Sequence, residues 1–327
     1  MSRNLGFQGG VFSVFNTTFK IVRGFQAHNV LLKRVFRMVD RKVIGISFGV
    51  LAGLMWAIEA VLGKMLLASL NFMQAAASES FFAAITAFAY LSLSGKSMKV
   101  KPSQLRDILL IGLVGSVLAP AAYFLGLTLT FAVNATLLAH LQPLFVSILG
   151  FFFLEEKLKK NDLIGGLLIG TAVILITGRS LENLLNLRFG NLGDLVILFA
   201  TLCWAFVAIP GKRLTKSLNS ILIVGYRFLA ASTVFIPILL ILNQLVIKSP
   251  YQVVLGITVG LGYIFYYEGL RRLKAGQVAL TELSSPFFTA FLAWFTLGEY
   301  VTVMQIVGGI LLAVGLLTLT HEKPIKR

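Results

Sequence analysis

Two stretches of this chain are the same stretch written twice. Around Pro143 it reads NATLLAHLQPLFVSILGFFFLEEKLKKNDLIGG, and around Pro286 it reads QVALTELSSPFFTAFLAWFTLGEYVTVMQIVGG. At a constant offset of 143 residues Pro143 meets Pro286, Glu156 meets Glu299, and Gly165-Gly166 meets Gly308-Gly309. Upstream, Tyr123 and Gly126-Leu127 meet Tyr266 and Gly269-Leu270. A second offset, 148, aligns WAIEAVLGKML from Trp56 with WAFVAIPGKRL from Trp204. The chain is two homologous halves of about five segments each, a pattern that repeat-built membrane carriers share.

Composition says where such halves can fold. Of 327 residues 57% are hydrophobic and only 13% charged, too few charges to cover a water-soluble surface of this size. A helix needs roughly 20 apolar residues to cross the hydrocarbon. Ten candidates fit, near 43–68, 73–94, 106–127, 133–154, 162–178, 192–212, 219–242, 251–270, 277–298 and 302–320. These runs lack the apolar–polar alternation of a membrane barrel. The expected fold is therefore an all-α integral membrane protein, ten transmembrane helices arranged as two repeats.

The net charge of +16 suggests nucleic acid until the charges are placed. With the N-terminus in the cytoplasm, 24 of the 29 basic residues fall on the cytoplasmic side. They lie before residue 43, at Lys96 to Arg106, at Lys157 to Lys160, at Lys212 to Lys216, at Arg271 to Lys274, and in the 322–327 tail. That bias orients a multi-pass protein in the cell membrane with both termini inside, and it makes the lipid bilayer, not nucleic acid, the partner. Five spans per half is an odd number, so the second repeat enters inverted.

Residues 1–42 form a basic extension with several readings: a membrane-surface segment, a targeting peptide, or a start site placed too early, Met38 being the natural start. The organisation read from the sequence is then this extension, a first repeat over 43–180, a second over 190–321 and the basic tail. Cys203 is the single cysteine, and His28, His140 and His321 have no ligand spacing, so no metal or cofactor is expected.

The repeated runs resemble the EamA-type domain of the drug/metabolite transporter superfamily. The resemblance rests on Pro-Leu-Phe and Pro-Phe-Phe, Leu-Glu-Glu and Leu-Gly-Glu, Ile-Gly-Gly and Val-Gly-Gly, Gly193-Asp194, and the Trp-to-Gly-Lys runs, over residues 43–320. It implies a ten-helix transporter of amino acids, other small metabolites or drugs. The cavity would be lined by spans one to four and six to nine, with spans five and ten peripheral. Many members carry Arg early in spans two and seven. Here Arg227 fits the seventh, but Ser80, beside Glu79, stands in the second.

A charge in hydrocarbon costs a few kcal/mol and usually faces a cavity or a partner. Glu59, Glu79, His140 and Gln142, with the aromatics Trp56, Trp204, Tyr123 and Tyr266, are candidates for a substrate or proton site. Desolvation disfavours the charged carboxylate, so Glu59 and Glu79 could load a proton or pair with a cationic substrate. Arg227, Glu268 and Glu282 are candidates for an inner gate, Arg227 pairing with Glu282; Glu79 with His140 would close the outer side. Glu268, just before Arg271 and Arg272, could instead snorkel at the interface, and Lys64 and Lys212 would snorkel at helix ends. Pro143 and Pro286 are hinge candidates. With no phosphate-binding loop, the expected function is a secondary active exporter of small metabolites by alternating access, with proton coupling a candidate. A passive channel is the alternative, and a lipid-modifying enzyme the remoter one.

Overall fold

The computed structural model describes residues 41–93, 95, 97–154, 160–187, 190–273 and 275–320. The N-terminal extension up to residue 40 with Met38, Lys96, Glu156, Lys157, Lys159, Arg188, Lys274 and the 321–327 tail lie outside them. The chain divides at Ile44, and everything below concerns the unit Gly45–Arg327.

Among the described residues the chain is helical with no β-strand. The first half holds α1 (Arg41–Leu66), α2 (Phe72–Leu93), α3 (Pro102–Gly112), a π-helical turn (Leu113–Leu118), α4 (Ala119–Leu129), α5 (Ala132–Ala139), α6 (Gln142–Leu154) and α7 (Lys160–Gly178). A short α8 (Leu181–Leu185) leads to the second half: α9 (Leu192–Leu214), α10 (Ser220–Ile241), α11 (Tyr251–Arg272), α12 (Ala275–Glu282), α13 (Ser284–Leu297) and α14 (Val303–Thr320).

Local chemistry sets several helix starts. Asn71 Oδ1 accepts from the Gln74 backbone N–H while Gln74 Oε1 accepts from the Asn71 N–H, both at 2.9 Å, a reciprocal cap at the start of α2. Asn191 and Asp194 do the same for α9 at 2.9 and 3.2 Å. Asp194 is thus the inner partner of that cap, and Asn191 the capping residue itself.

Among the described residues seven helices are long and apolar enough to cross a membrane, counting Pro102–Leu129 and Gln277–Leu297 through their irregularities. Three further apolar helices, over Ala132–Val146, Leu163–Gly178 and Val303–Thr318, are shorter. Small residues such as Ala57, Ala60, Ala75, Ala83 and Ala87 are buried, while Leu167, Phe291 and Ile310 face outward. This is how helices associate in lipid, where small side chains let backbones approach and large apolar ones meet the acyl chains. The protein is a multi-pass membrane protein.

Two pairs of equivalent elements pack on each other across the halves, α2 on α10 and α7 on α14, and α4 packs on α9, the counterpart of α1. The repeated Gly-Gly motif explains the contact of α7 with α14. A Cβ on Gly308 would lie 3.1 Å from Ala172 O, and one on Gly315 3.1 Å from Gly165 O. A side chain at either position would push the two helices apart by a few tenths of an ångström.

The two Gly-Lys motifs have a structural role the sequence reading did not assign. Lys64 Nζ donates to Leu127 O and Thr130 O, 2.6 Å each, at the end of α4. Lys212 Nζ donates to Leu270 O and to Leu273 O at the end of α11. Both lysines therefore cap the last carbonyls of a neighbouring helix instead of snorkelling, because those carbonyls have no intrahelical partner. Lys64→Met and Lys212→Met are each expected to lower stability by about 1–3 kcal/mol, read as matched drops in the melting temperature of the solubilised protein. A loss confined to one of them would break the symmetry argument.

Candidate functional site

The central feature is a buried arginine that a helix distortion was shaped to receive. Pro120 has no N–H, so Ser116 O, four residues back, loses its helical donor. The π-helical turn adds a second gap, because Ala119 N–H reaches to Val114 O and leaves Gly115 O free. Arg227 fills this space from α10. Its Nη2 donates to Gly115 O at 2.9 Å, its Nε to Ser116 Oγ at 2.7 Å, and its Nη1 to Tyr267 Oη at 3.0 Å. Trp204 Nε1 donates to the same Gly115 O at 3.2 Å. A Cβ on Gly115 would sit 2.8 Å from Val207 Cγ2 and 3.2 Å from Arg227 Nη2, so a side chain there would crowd both. Ser80, standing where relatives of the resembled kind carry a second Arg, reaches Ser116 O at 3.5 Å.

All three partners of this guanidinium are neutral. Its charge is balanced through space instead, by Glu59 and Glu79, both buried and both within reach of its field. Glu79 Oε2 is buried with no hydrogen-bond partner. Two carboxyl groups stand against one guanidinium, and one buried acceptor, Glu79 Oε2, is left unmatched.

Aromatic rings line the path from this cluster to the second one. Arg227 stacks over Tyr263 at 3.9 Å, and Tyr263 meets Trp56 edge-on at 4.8 Å. Tyr266 lies 5.4 Å from Tyr267, and Tyr123 lies 5.5 Å from Trp204. Trp56 Nε1 then donates to Glu282 Oε1 at 2.8 Å. Gln142 Nε2 reaches Trp204 O at 3.4 Å.

At the second cluster both Pro-containing segments are interrupted just before their proline: α5 ends at Ala139 and α6 begins at Gln142, while α12 ends at Glu282 and α13 begins at Ser284. The breaks meet. His140 Nε2 lies 2.8 Å from Glu282 O, and its Nδ1 lies 2.7 Å from Thr136 O.

The structure rearranges the expected gates. Arg227 bonds Ser116, Tyr267 and Gly115, not Glu282, and Glu282 bonds Trp56. His140 bonds two carbonyls, not Glu79. Glu268 pairs with Arg271 and Arg272 on its own helix and accepts from Ser220 at 2.7 Å, away from Arg227. Residues expected on opposite faces converge: His140 meets the Glu282 carbonyl, and Glu59 and Glu79 lie within the field of Arg227. The sequence reading missed Ser116, Gly115 and Tyr263, and took Tyr267 only as a cavity-lining aromatic, not as a partner of Arg227. Pro120 inside an apolar run was the one available signal, since it announces a free carbonyl at Ser116.

A further buried network sits where α4, α5, α9, α13 and α14 end or begin. Asp194 Oδ1 accepts from Thr130 Oγ1 at 2.6 Å and from Asn134 Nδ2 at 3.3 Å. Gln305 Nε2 donates to Asn134 Oδ1 at 2.6 Å. Glu299 accepts from the Ala132 and Val133 N–H groups at 2.9 and 3.2 Å, which caps the start of α5. These groups satisfy one another, so the network reads as a fastening of helix ends.

Comparison with known proteins adds to this geometry. The model of the EamA-like transporter family matches twice, over residues 43–178 and 191–320. An uncharacterized transporter of Methanothermobacter thermautotrophicus is 28% identical, over 85% of this chain and 87% of its own length. The pseudopaline exporter CntI of Pseudomonas aeruginosa is 24% identical, over 88% of this chain and 99% of its own. A solved crystal structure, 19% identical, superposes with a TM-score of 0.61 over 84% of this chain and 96% of that one.

Proposed function

The chain belongs to the EamA-like transporter family, and on that premise we propose that it is a secondary active exporter of small metabolites or drug-like compounds, working by alternating access in the cell membrane. The observation that carries the reading is the unmatched carboxylate pair, Glu59 and Glu79, held opposite Arg227 among aromatic rings contributed by both repeats. A midplane site at the interface of two repeats can be exposed to either side by rocking one repeat against the other. The outward direction is supported by the name of the Pseudomonas aeruginosa relative.

The topology that goes with this reading has ten spans as two inverted five-helix repeats, with both termini cytoplasmic. The three shorter apolar helices complete the seven long ones, and the bias of basic residues supports the orientation. The spare negative charge accepts either a proton or the cationic group of a substrate. Glu59 is the exchangeable member in this account, since it is the less enclosed of the two carboxylates.

The test is counterflow in proteoliposomes loaded with a mixture of unlabelled amino acids and supplied with the labelled mixture outside. A carrier exchanges the label against the internal pool; a channel only equilibrates it. Glu59→Gln should keep counterflow yet lose at least tenfold in uptake driven by a pH jump. Undiminished pH-driven uptake in Glu59→Gln would remove that residue from the coupling step.

A further inference from the structure

His140 sits between two acceptors that cannot donate. Thr136 O and Glu282 O are both carbonyl oxygens, at 2.7 Å from Nδ1 and 2.8 Å from Nε2. A neutral imidazole has one N–H and one lone pair. In either tautomer one of the two contacts would set a lone pair against a carbonyl oxygen at hydrogen-bond distance, which is repulsive. Both contacts are satisfied only when both ring nitrogens carry protons.

Each acceptor is also orphaned for a local reason. The donor that would serve Glu282 O in an unbroken helix is the N–H of residue 286, and Pro286 has none. The donor that would serve Thr136 O is the backbone N–H of His140, which at the end of α5 turns toward Leu138 O instead. The ring of His140 replaces both missing donors. It joins the break of one repeat to the break of the other, at the point where α5 gives way to α6 and α12 to α13.

Few other titratable groups bear on the ring. Of the elements packed on α5 and α6, α13 and α14 carry none. α4 brings Tyr123, and α7 brings Lys160 and Asp162 in its first turn. α9 brings Cys203, with Asp194, Lys212 and Arg213 near its ends and bonded elsewhere. α12 brings Glu282, whose carboxylate accepts from Trp56. Across the aromatic rings stand Glu59, Glu79, Arg227, Tyr263, Tyr266 and Tyr267. Among the described residues no carboxylate is bonded to the ring, which meets only the two carbonyl dipoles.

We propose that His140 is a bound-proton site whose charged form ties the two helix breaks together, and whose proton is given up when they separate. On release the Nε2–H bond breaks, its electron pair stays on the ring, and the proton leaves on a water molecule. The lone pair then faces Glu282 O, and the contact between the repeats turns from attractive to repulsive. The inference rests on the carrier reading for its part in the cycle, but not for its geometry.

The experiment is nitrogen-15 NMR of the full chain in nanodiscs with labelled histidine. The signal of His140 is assigned by its absence from His140→Gln. At neutral pH the expected spectrum shows both of its nitrogens protonated. Pro286→Ala restores a backbone donor to Glu282 O, and it should convert the His140 ring to the neutral form at the same pH. A wild-type ring that is neutral at that pH overturns the proposal without reference to any variant. A doubly protonated ring that ignores Pro286→Ala overturns the link between the breaks. Neither outcome touches the carrier reading, which counterflow tests separately.

Discussion

Replacing Arg227 with Met is expected to abolish exchange and to lower the stability of the solubilised protein by about 3–5 kcal/mol. The side chain is 2% exposed, and all its hydrogen-bond partners are neutral. Met fills a similar volume, so packing is largely kept and the loss is electrostatic. Two carboxyl groups remain in low dielectric with no cation, and Gly115 O and Ser116 Oγ lose their guanidinium donor. Breaking a buried pair costs more than the pair itself contributes, because the abandoned charge stays behind. The double variant Arg227→Met with Glu79→Gln should therefore recover at least half of the lost stability, while each change alone moves it in opposite directions. Denaturation and counterflow on the four members of that cycle give the coupling directly. Strictly additive effects would mean that Arg227 and Glu79 do not share a field.

Much of this architecture could be read before any coordinates. The offsets of 143 and 148 announced two halves, and the structure packs α2 on α10 and α7 on α14 accordingly. The scarcity of charge picked out Glu59, Glu79, Arg227 and Glu282; the first three are buried and Glu282 is half-buried. What could not be read was pairing. Depth counted along unbroken helices put Glu282 and His140 on opposite sides, yet the interruptions at Leu141 and Leu283 bring them into contact. The partners of Arg227 were hidden for a related reason. Backbone carbonyls carry no sequence signature, and Gly115 O is available only because a π-turn shifts one hydrogen bond by one residue. The lysines of the Gly-Lys motifs were misjudged as snorkelling because the carbonyls they cap belong to another helix.

Glu79→Gln is expected to separate stability from function more cleanly than any other single change. In the wild type Glu79 Oε2 is buried without a partner, and its carboxylate shares the field of one guanidinium with Glu59. A group left in that state is destabilising by about 1–3 kcal/mol, a cost usually retained only where function needs it. The amide keeps the shape, removes the excess charge, and leaves Arg227 balanced by Glu59 alone. Thermal stability should therefore rise by several degrees, an increment of a size expected from about 1–2 kcal/mol in a chain this long. Exchange should fall by two orders of magnitude or more, because the partnerless Oε2 of Glu79 is the acceptor that a donor group of the substrate would fill, whereas Glu59 carries the exchangeable proton. A structural role for Glu79 requires the reverse, a less stable protein that transports in proportion to the fraction folded. A more stable variant with wild-type counterflow would show that the buried charge surplus serves no step of transport, and the site would have to be sought elsewhere along the aromatic path.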